Sequence, residues 1–149
     1  MKINKSVEQA IYVLLILALQ KDGGPLKSRV LSAHLKVSDS YLKKILMKLK
    51  KGGLIVASAS KNGGYQLARP IGAISIKDVF TALQLTDDQL ELSHLAQYIF
   101  PDPNHVAQSE QEISQAFDQA FATFYDQLDQ FKLDRLLKED AVGTIDWAE

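Results

Sequence analysis

Residues 38–53 constrain the fold more than any other stretch. Leu42, Ile45, Leu46 and Leu49 recur at i, i+3, i+4 and i+7, a single apolar stripe along one side of a helix. Lys43, Lys44, Lys48 and Lys51 fall off that stripe. Ser38 is placed to cap the helix, Asp39 suits the positive end of its dipole, and Gly52-Gly53 stops it. The spacing therefore predicts a helix over 39–51 that is apolar inside and strongly basic outside.

The flanking sequence gives this helix its context. A shorter helix is expected over about 27–35, with Val30, Leu31 and Leu35 inward, and Lys36-Val37 makes a tight turn before Ser38. Two helices joined this way, the second basic, are a helix-turn-helix. Strand candidates at 54–59 and 64–69 flank Ser60-Lys61-Asn62-Gly63, and Asn-Gly is a strong short hairpin sequence. A hairpin directly after a helix-turn-helix is a wing. The fold class expected is mainly α, a winged helix-turn-helix with a two-stranded β wing and a long C-terminal dimerisation helix.

That last helix is expected over about 109–138. Ile113, Phe117, Ala120, Phe124, Leu128 and Phe131 step by 4, 3, 4, 4 and 3, close to a heptad seam, with Phe121 beside it. Residues 109–131 span about 34 Å at 1.5 Å per residue. A small head cannot cover such a helix, so a second copy is the expected partner. Ile113, Phe117, Phe121, Phe124, Leu128 and Phe131 are the candidate dimerisation residues. The first helix is expected from Asn4 or Ser6 to about Gln20, with apolar residues nearly all round it, which marks it as central and buried. Lys2, Lys5 and the apolar run 10–19 imitate a secretion signal. Glu8 interrupts the pattern and Ala18-Leu19-Gln20 is a poor cleavage site, so a cytoplasmic protein with no membrane association is expected. A post-wing helix is expected from Ile74 or Ser75 to about Leu85, a short helix near 88–98, and a loop through 101–104. Domains are expected at 1–85 (head), 86–108 (linker and effector region), 109–140 (dimerisation) and 141–149 (flexible tail).

Charge is segregated. Residues 1–70 hold 13 Lys/Arg against 3 Asp/Glu, net +10, whereas residues 71–149 hold 4 against 15, net −11. A basic half joined to an acidic one fits a polyanion-binding head and a partner-facing remainder. Recognition helices present small polar groups and cations near their N-termini to base edges and phosphates. Ser38, Ser40, Tyr41, Lys43, Lys44 and Lys48 meet that need, and Lys61 and Asn62 at the wing tip can reach a minor groove or flanking phosphates. These eight are the candidate DNA-binding residues.

The chain has no cysteine, which excludes disulfides, thiolate metal sites and thiol nucleophiles. No nucleophile elbow, phosphate loop or paired metalloprotease histidines occur, so no enzyme is expected. His94 and His105, with Asp87, Asp88, Glu91 and Asp102 nearby, lack close ligand spacing and read as surface groups. No metal and no cofactor are expected.

From Ser38 the chain reads SDSYLKKILMKLKKGGLIVASASKNGGYQLARP, then ISIKDV. This resembles the Rrf-type winged-helix transcriptional regulators, the family of IscR, NsrR and CymR. Ser38, Tyr41, Leu42, Leu46, Leu49, Gly53, Leu54 and Ile55 match its pattern in the recognition helix and first strand. Gly63, Gly64, Tyr65, Leu67, Ala68, Arg69 and Pro70 match in the second strand, and Ile74, Ser75, Ile76, Asp78 and Val79 beyond it. The resemblance implies a homodimer on a pseudo-palindromic operator, with the third helix in the major groove and the wing over the minor groove. In its iron–sulfur members three cysteines precede the dimerisation helix. The corresponding region here, about 86–108, has none, so cluster sensing does not carry over. Many members have Glu-Gln where this chain has Lys43-Lys44, which implies a different base preference. Many have Arg-Gly at the wing where this chain has Ala59-Ser60.

The expected function is sequence-specific binding of double-stranded DNA as a transcriptional regulator, in the sense of a repressor. Its signal is then a small-molecule effector, a protein partner such as a metabolic enzyme, or nothing beyond its own abundance, and Tyr98, Phe100 and His105 are the candidate effector contacts. A plain connector is the alternative for that segment. The alternative for the whole chain is a winged-helix protein-interaction module that regulates a partner protein through its acidic half.

Overall fold

The computed structural model describes residues 1–86 and 89–148. Asp87 and Asp88, at the start of the short helix expected near 88–98, lie outside them. The Asn4 side chain accepts from the Ser6 N–H at 2.9 Å and opens α1 (Lys5–Leu19). Val7, Ala10 and every residue from Val13 to Ala18 are buried, so α1 is the central helix its composition demands. α2 (Ser28–Leu35) follows, and Lys36 takes a left-handed φ of 56° at the turn. Ser38 then caps α3 (Asp39–Lys51) by accepting from the Tyr41 N–H at 3.2 Å. The stripe Leu42, Ile45, Leu46 and Leu49 is buried in the core. Each such side chain contributes roughly 1.5–3 kcal/mol through burial.

The wing pairs β1 (Ile55–Ser58) with β2 (Gly64–Leu67), antiparallel, with Ile55 opposite Leu67 and Ser58 opposite Gly64. Both strands are shorter than the sequence suggests, although the Ala68 N–H still donates to the Leu54 carbonyl at 3.0 Å beyond their ends. The hairpin is moored to the head through Leu26, whose N–H donates to the Tyr65 carbonyl at 3.0 Å and whose carbonyl accepts from the Tyr65 N–H at 2.7 Å. Gly64 permits this approach. Its φ is +150°, and an added Cβ would lie 2.5 Å from the Leu26 carbonyl carbon. Gly64→Ala is therefore expected to cost roughly 2 kcal/mol or more, as strain plus overpacking. A thermal melt that is unchanged in this variant would show that the mooring is absent in solution.

α4 (Ile76–Ala82) begins in a reciprocal cap. The Asp78 N–H donates to Ser75 Oγ at 3.0 Å and the Ser75 N–H to Asp78 Oδ2 at 2.8 Å. It ends sooner than expected, with Gln84 at a left-handed φ of 62°. In place of the helix expected near 88–98 there is one 3-10 turn, Leu95–Tyr98, preceded by His94 at a φ of 60°.

The last helix, α5 (Pro103–Gln130), also departs from expectation at both ends. It starts six residues early because Asp102 accepts from the Asn104 N–H at 2.9 Å and Pro103 occupies the first position, where no N–H is needed. It stops at Gln130 because the next residues pair with the head: the Ile76 N–H donates to the Phe131 carbonyl at 3.1 Å and the Leu133 N–H to the Ile74 carbonyl at 2.9 Å. Leu133 is buried there. Residues 141–148, where a flexible tail is expected, instead fold back along the end of α1, with Gln20 and Ile145 in a parallel bridge. The backbone of Gly143, Ile145 and Trp147 and the Asp146 carboxylate find partners on the head, which opposes fraying.

Candidate nucleic-acid interface

Outside the buried stripe, α3 presents Ser40, Lys44, Met47 and Lys51, which step by 4, 3 and 4 and are all exposed. Lys43 and Lys48 flank this ridge, also exposed. The lysines differ in their surroundings. Lys43 Nζ lies 3.1 Å from Asp39 Oδ2, one turn back. That ammonium, followed by the Ser28 hydroxyl, holds the Asp39 carboxyl below its usual value. Ser32 Oγ reaches the same carboxyl at 3.5 Å, so Asp39 ties α2 to α3. Lys44 and Lys48 have no ion-pair partner among the described residues. Their charge is free for another anion.

The remaining candidate residues take two roles. Ser38 spends its oxygen on the cap, while Ser40 and Tyr41 are exposed in the first turn of α3. Lys61 and Asn62 stand exposed at the wing tip, in a turn closed by the Gly63 N–H on the Ser60 carbonyl at 2.8 Å. A cleft of about 410 Å³ between α2, α3 and the wing is lined by Lys27, Ser28, Lys50, Ser58, Ser60 and Tyr65, among others. It places Lys27 and Lys50 beside the wing. Lys27, Lys50, Lys51 and Met47 were not among the candidates read from the sequence. Met47, 53% exposed amid lysines, offers an apolar contact of the kind that meets a thymine methyl. Its angular position opposite the stripe was the available sign.

The acidic half divides differently from the seam expected of it. Phe124 and Leu128 pack on the head's own core, with the Phe124 ring 6.0 Å from Phe80. Phe131 lies past the end of α5 under the Arg135 guanidinium, 4.5 Å from its ring centre. Ile113 and Phe117 are left 47% and 45% exposed, with Phe121 6.3 Å from Phe117. No residue of α5 is buried within the chain.

None of the three candidate effector residues lines the cavity of about 230 Å³ in this region. Tyr98 is 77% exposed, and Phe100 and His105 stack on each other at 3.8 Å. That cavity is lined instead by residues 91–96 with Ser109, Glu110 and Ile113. His94 Nδ1 meets Glu110 at 3.2 Å. Among the described residues no group of three or more His, Cys, Asp or Glu is placed to hold a metal.

An apolar-striped, lysine-faced second helix followed by a moored hairpin defines a winged helix-turn-helix. The chain belongs to the Rrf2 family, described as iron-dependent transcriptional regulators, whose profile it matches over residues 3–139. It is 44% identical over 84 residues to YffB of Lactococcus lactis, provisionally assigned as an HTH-type transcriptional regulator, covering 56% of this chain and 54% of that protein. It is 33% identical over 105 residues to YwgB of Bacillus subtilis, assigned in the same way, covering 70% of this chain and 67% of that one. The chain thus spans little more than half the length of YffB. Among solved structures it resembles CymR of B. subtilis, titled the global cysteine regulator of that organism, at 20% identity. That likeness has a TM-score of 0.64 and covers 91% of this chain and 95% of CymR. It shows the fold.

The family's description invokes iron. With no cysteine in the chain and His94 joined by a single carboxylate, the residues present do not fit a thiolate-held iron–sulfur cluster. No helix among the described residues is long and apolar enough to cross a membrane.

Proposed function

We propose that the chain is a DNA-binding transcriptional repressor that acts as a homodimer on a pseudo-palindromic operator, without an iron–sulfur cluster. The observation that carries this reading is the pair of exposed lysines on α3, Lys44 and Lys48, that have no ion-pair partner among the described residues. In this reading residues 1–85 read DNA and the apolar residues exposed on α5 join two copies. The segment 86–108 links the two and receives a small molecule or a metabolic enzyme near Tyr98. The test is to enrich duplexes from a random-sequence pool with the protein and titrate their affinity against salt. Phosphate contacts release counterions, so log affinity should fall with log salt by about 0.9 per contact. A flat salt response would favour a protein-docking winged helix instead.

Asp39→Asn separates two roles of one carboxylate. Removing an anion from the reading face frees Lys43, so affinity for any duplex should rise and the salt slope steepen by up to about one unit per subunit. Stability should fall slightly through the lost tie to Ser28 and Ser32. The Asp39 carboxyl is held below its usual value, so its contribution is present above the ordinary carboxylate range. It is lost as pH falls through the depressed value. The variant's melting temperature should accordingly converge on that of the parent in acid. Weaker DNA binding in the variant would contradict the assignment of this face.

A further inference from the structure

We propose that residues 143–147 form a strap that positions the reading head, with Gln20, His34 and Trp147 as its positioning residues. This rests on the DNA-reading role proposed above. A helix ends in carbonyls that no later turn can satisfy. At the end of α1 the strap supplies the donors: the Gly143 N–H to the Ala18 carbonyl at 3.0 Å, and the Ile145 N–H to the Leu19 carbonyl at 2.9 Å. In return the Lys21 N–H donates to the Ile145 carbonyl at 2.7 Å and the Asp22 N–H to the Gly143 carbonyl at 3.3 Å. Gln20, only 6% exposed, sits at the centre. Its amide nitrogen donates to Asp146 Oδ1 at 3.2 Å and its oxygen accepts from the Trp147 N–H at 2.9 Å.

The strap then reaches the helix-turn-helix itself. His34, in the last turn of α2, stands edge-on to the Trp147 ring at 4.8 Å. Its Nε2 lies 3.0 Å from the Trp147 carbonyl. A carbonyl only accepts, so Nε2 carries the proton. The same loop also holds the wing. Gln66 Nε2 donates to the Gly23 carbonyl at 2.8 Å, and Leu26 exchanges both backbone bonds with Tyr65. The loop 20–26 therefore bears both the strap and the wing, and it runs into the helix the strap also touches. The two elements that must meet DNA together are registered to one short loop, and the strap fixes that loop.

The test compares Trp147→Ala and Trp147→Phe with the parent chain. Trp147→Ala should speed hydrogen exchange at the amides of residues 21–26 and Tyr65, leave α5 unaffected, and weaken binding to parent-enriched duplexes about tenfold, the effect of one ring contact and a loosened hydrogen-bond set. The salt slope should stay unchanged, because every lysine remains. Trp147→Phe should restore affinity, since it keeps the ring edge and removes an indole N–H that is buried without an acceptor among the described residues. Unchanged exchange in Trp147→Ala overturns the strap. Faster exchange with full affinity overturns its role in DNA reading, provided a Lys44→Ala control loses affinity. If the parent enriches no duplex, the DNA reading fails and the positioning role falls with it, while exchange still reports whether the strap holds the loop.

Discussion

The double variant Lys44→Ala, Lys48→Ala is expected to bind parent-enriched duplexes at least a hundredfold more weakly and to keep the parent's melting temperature. Each lysine is exposed and lacks an acidic partner among the described residues, so neither contributes a structural contact that the fold would miss. A charged hydrogen bond to phosphate is worth about 1.5–3 kcal/mol, so the two contacts of a single head already convert to roughly a hundredfold to ten-thousandfold in affinity, and the four of a dimer to more. The salt slope carries a second and sharper reading. Each lost phosphate contact flattens it by about one unit. A dimer presents each lysine twice, so the double variant should flatten the slope by about four units, against about two for a monomer. Lys43→Ala should do less, because Asp39 already holds that ammonium. Equal losses at Lys43 and Lys44 would mean that the ion pair opens on DNA. Full affinity in the double variant would reject α3 as the reader.

The reading head was legible in the sequence because its signals are local. The four-residue stripe, the Ser38 cap and the Gly-Gly stop place α3 at Asp39–Lys51, the bounds expected. The wing followed from Asn-Gly between two short strands. What was not legible depends on which surfaces meet. Nothing in the heptad spacing tells Phe124 from Phe117, yet one packs on Phe80 and the other faces outward. The prolines at 101 and 103 read as a loop, whereas Pro103 with an Asp102 cap is the way a helix begins. The strap was invisible for the same reason. A short tail broken by Gly143 looks frayed until Gln20 and His34, more than a hundred residues away, supply its partners.

That division of α5 decides where a dimer should be tested. Substituting Phe124 would strike the head's own core, so loss of dimer in such a variant would carry no message about the seam. Ile113 and Phe117 are the informative pair, being half exposed and outside the head's core cluster. α5 spans 28 residues, about 42 Å at 1.5 Å per residue, and buries none of them within the chain. Helices in water owe most of their stability to tertiary packing, so its outer half needs a covering surface. A second copy, packed through the same residues, supplies one by symmetry. Ile113→Asp with Phe117→Asp would place four carboxylates per dimer in that seam, each costing several kcal/mol if desolvated without a partner. Light scattering at micromolar concentration should then report a monomer, and the melting of the head should barely move. The monomer should still bind a half-site, with about half the parent's salt slope, and lose the preference for two half-sites about 34 Å apart. A dimer that survives both substitutions would place the interface elsewhere, and a monomer that keeps the full slope would show that one head makes every phosphate contact.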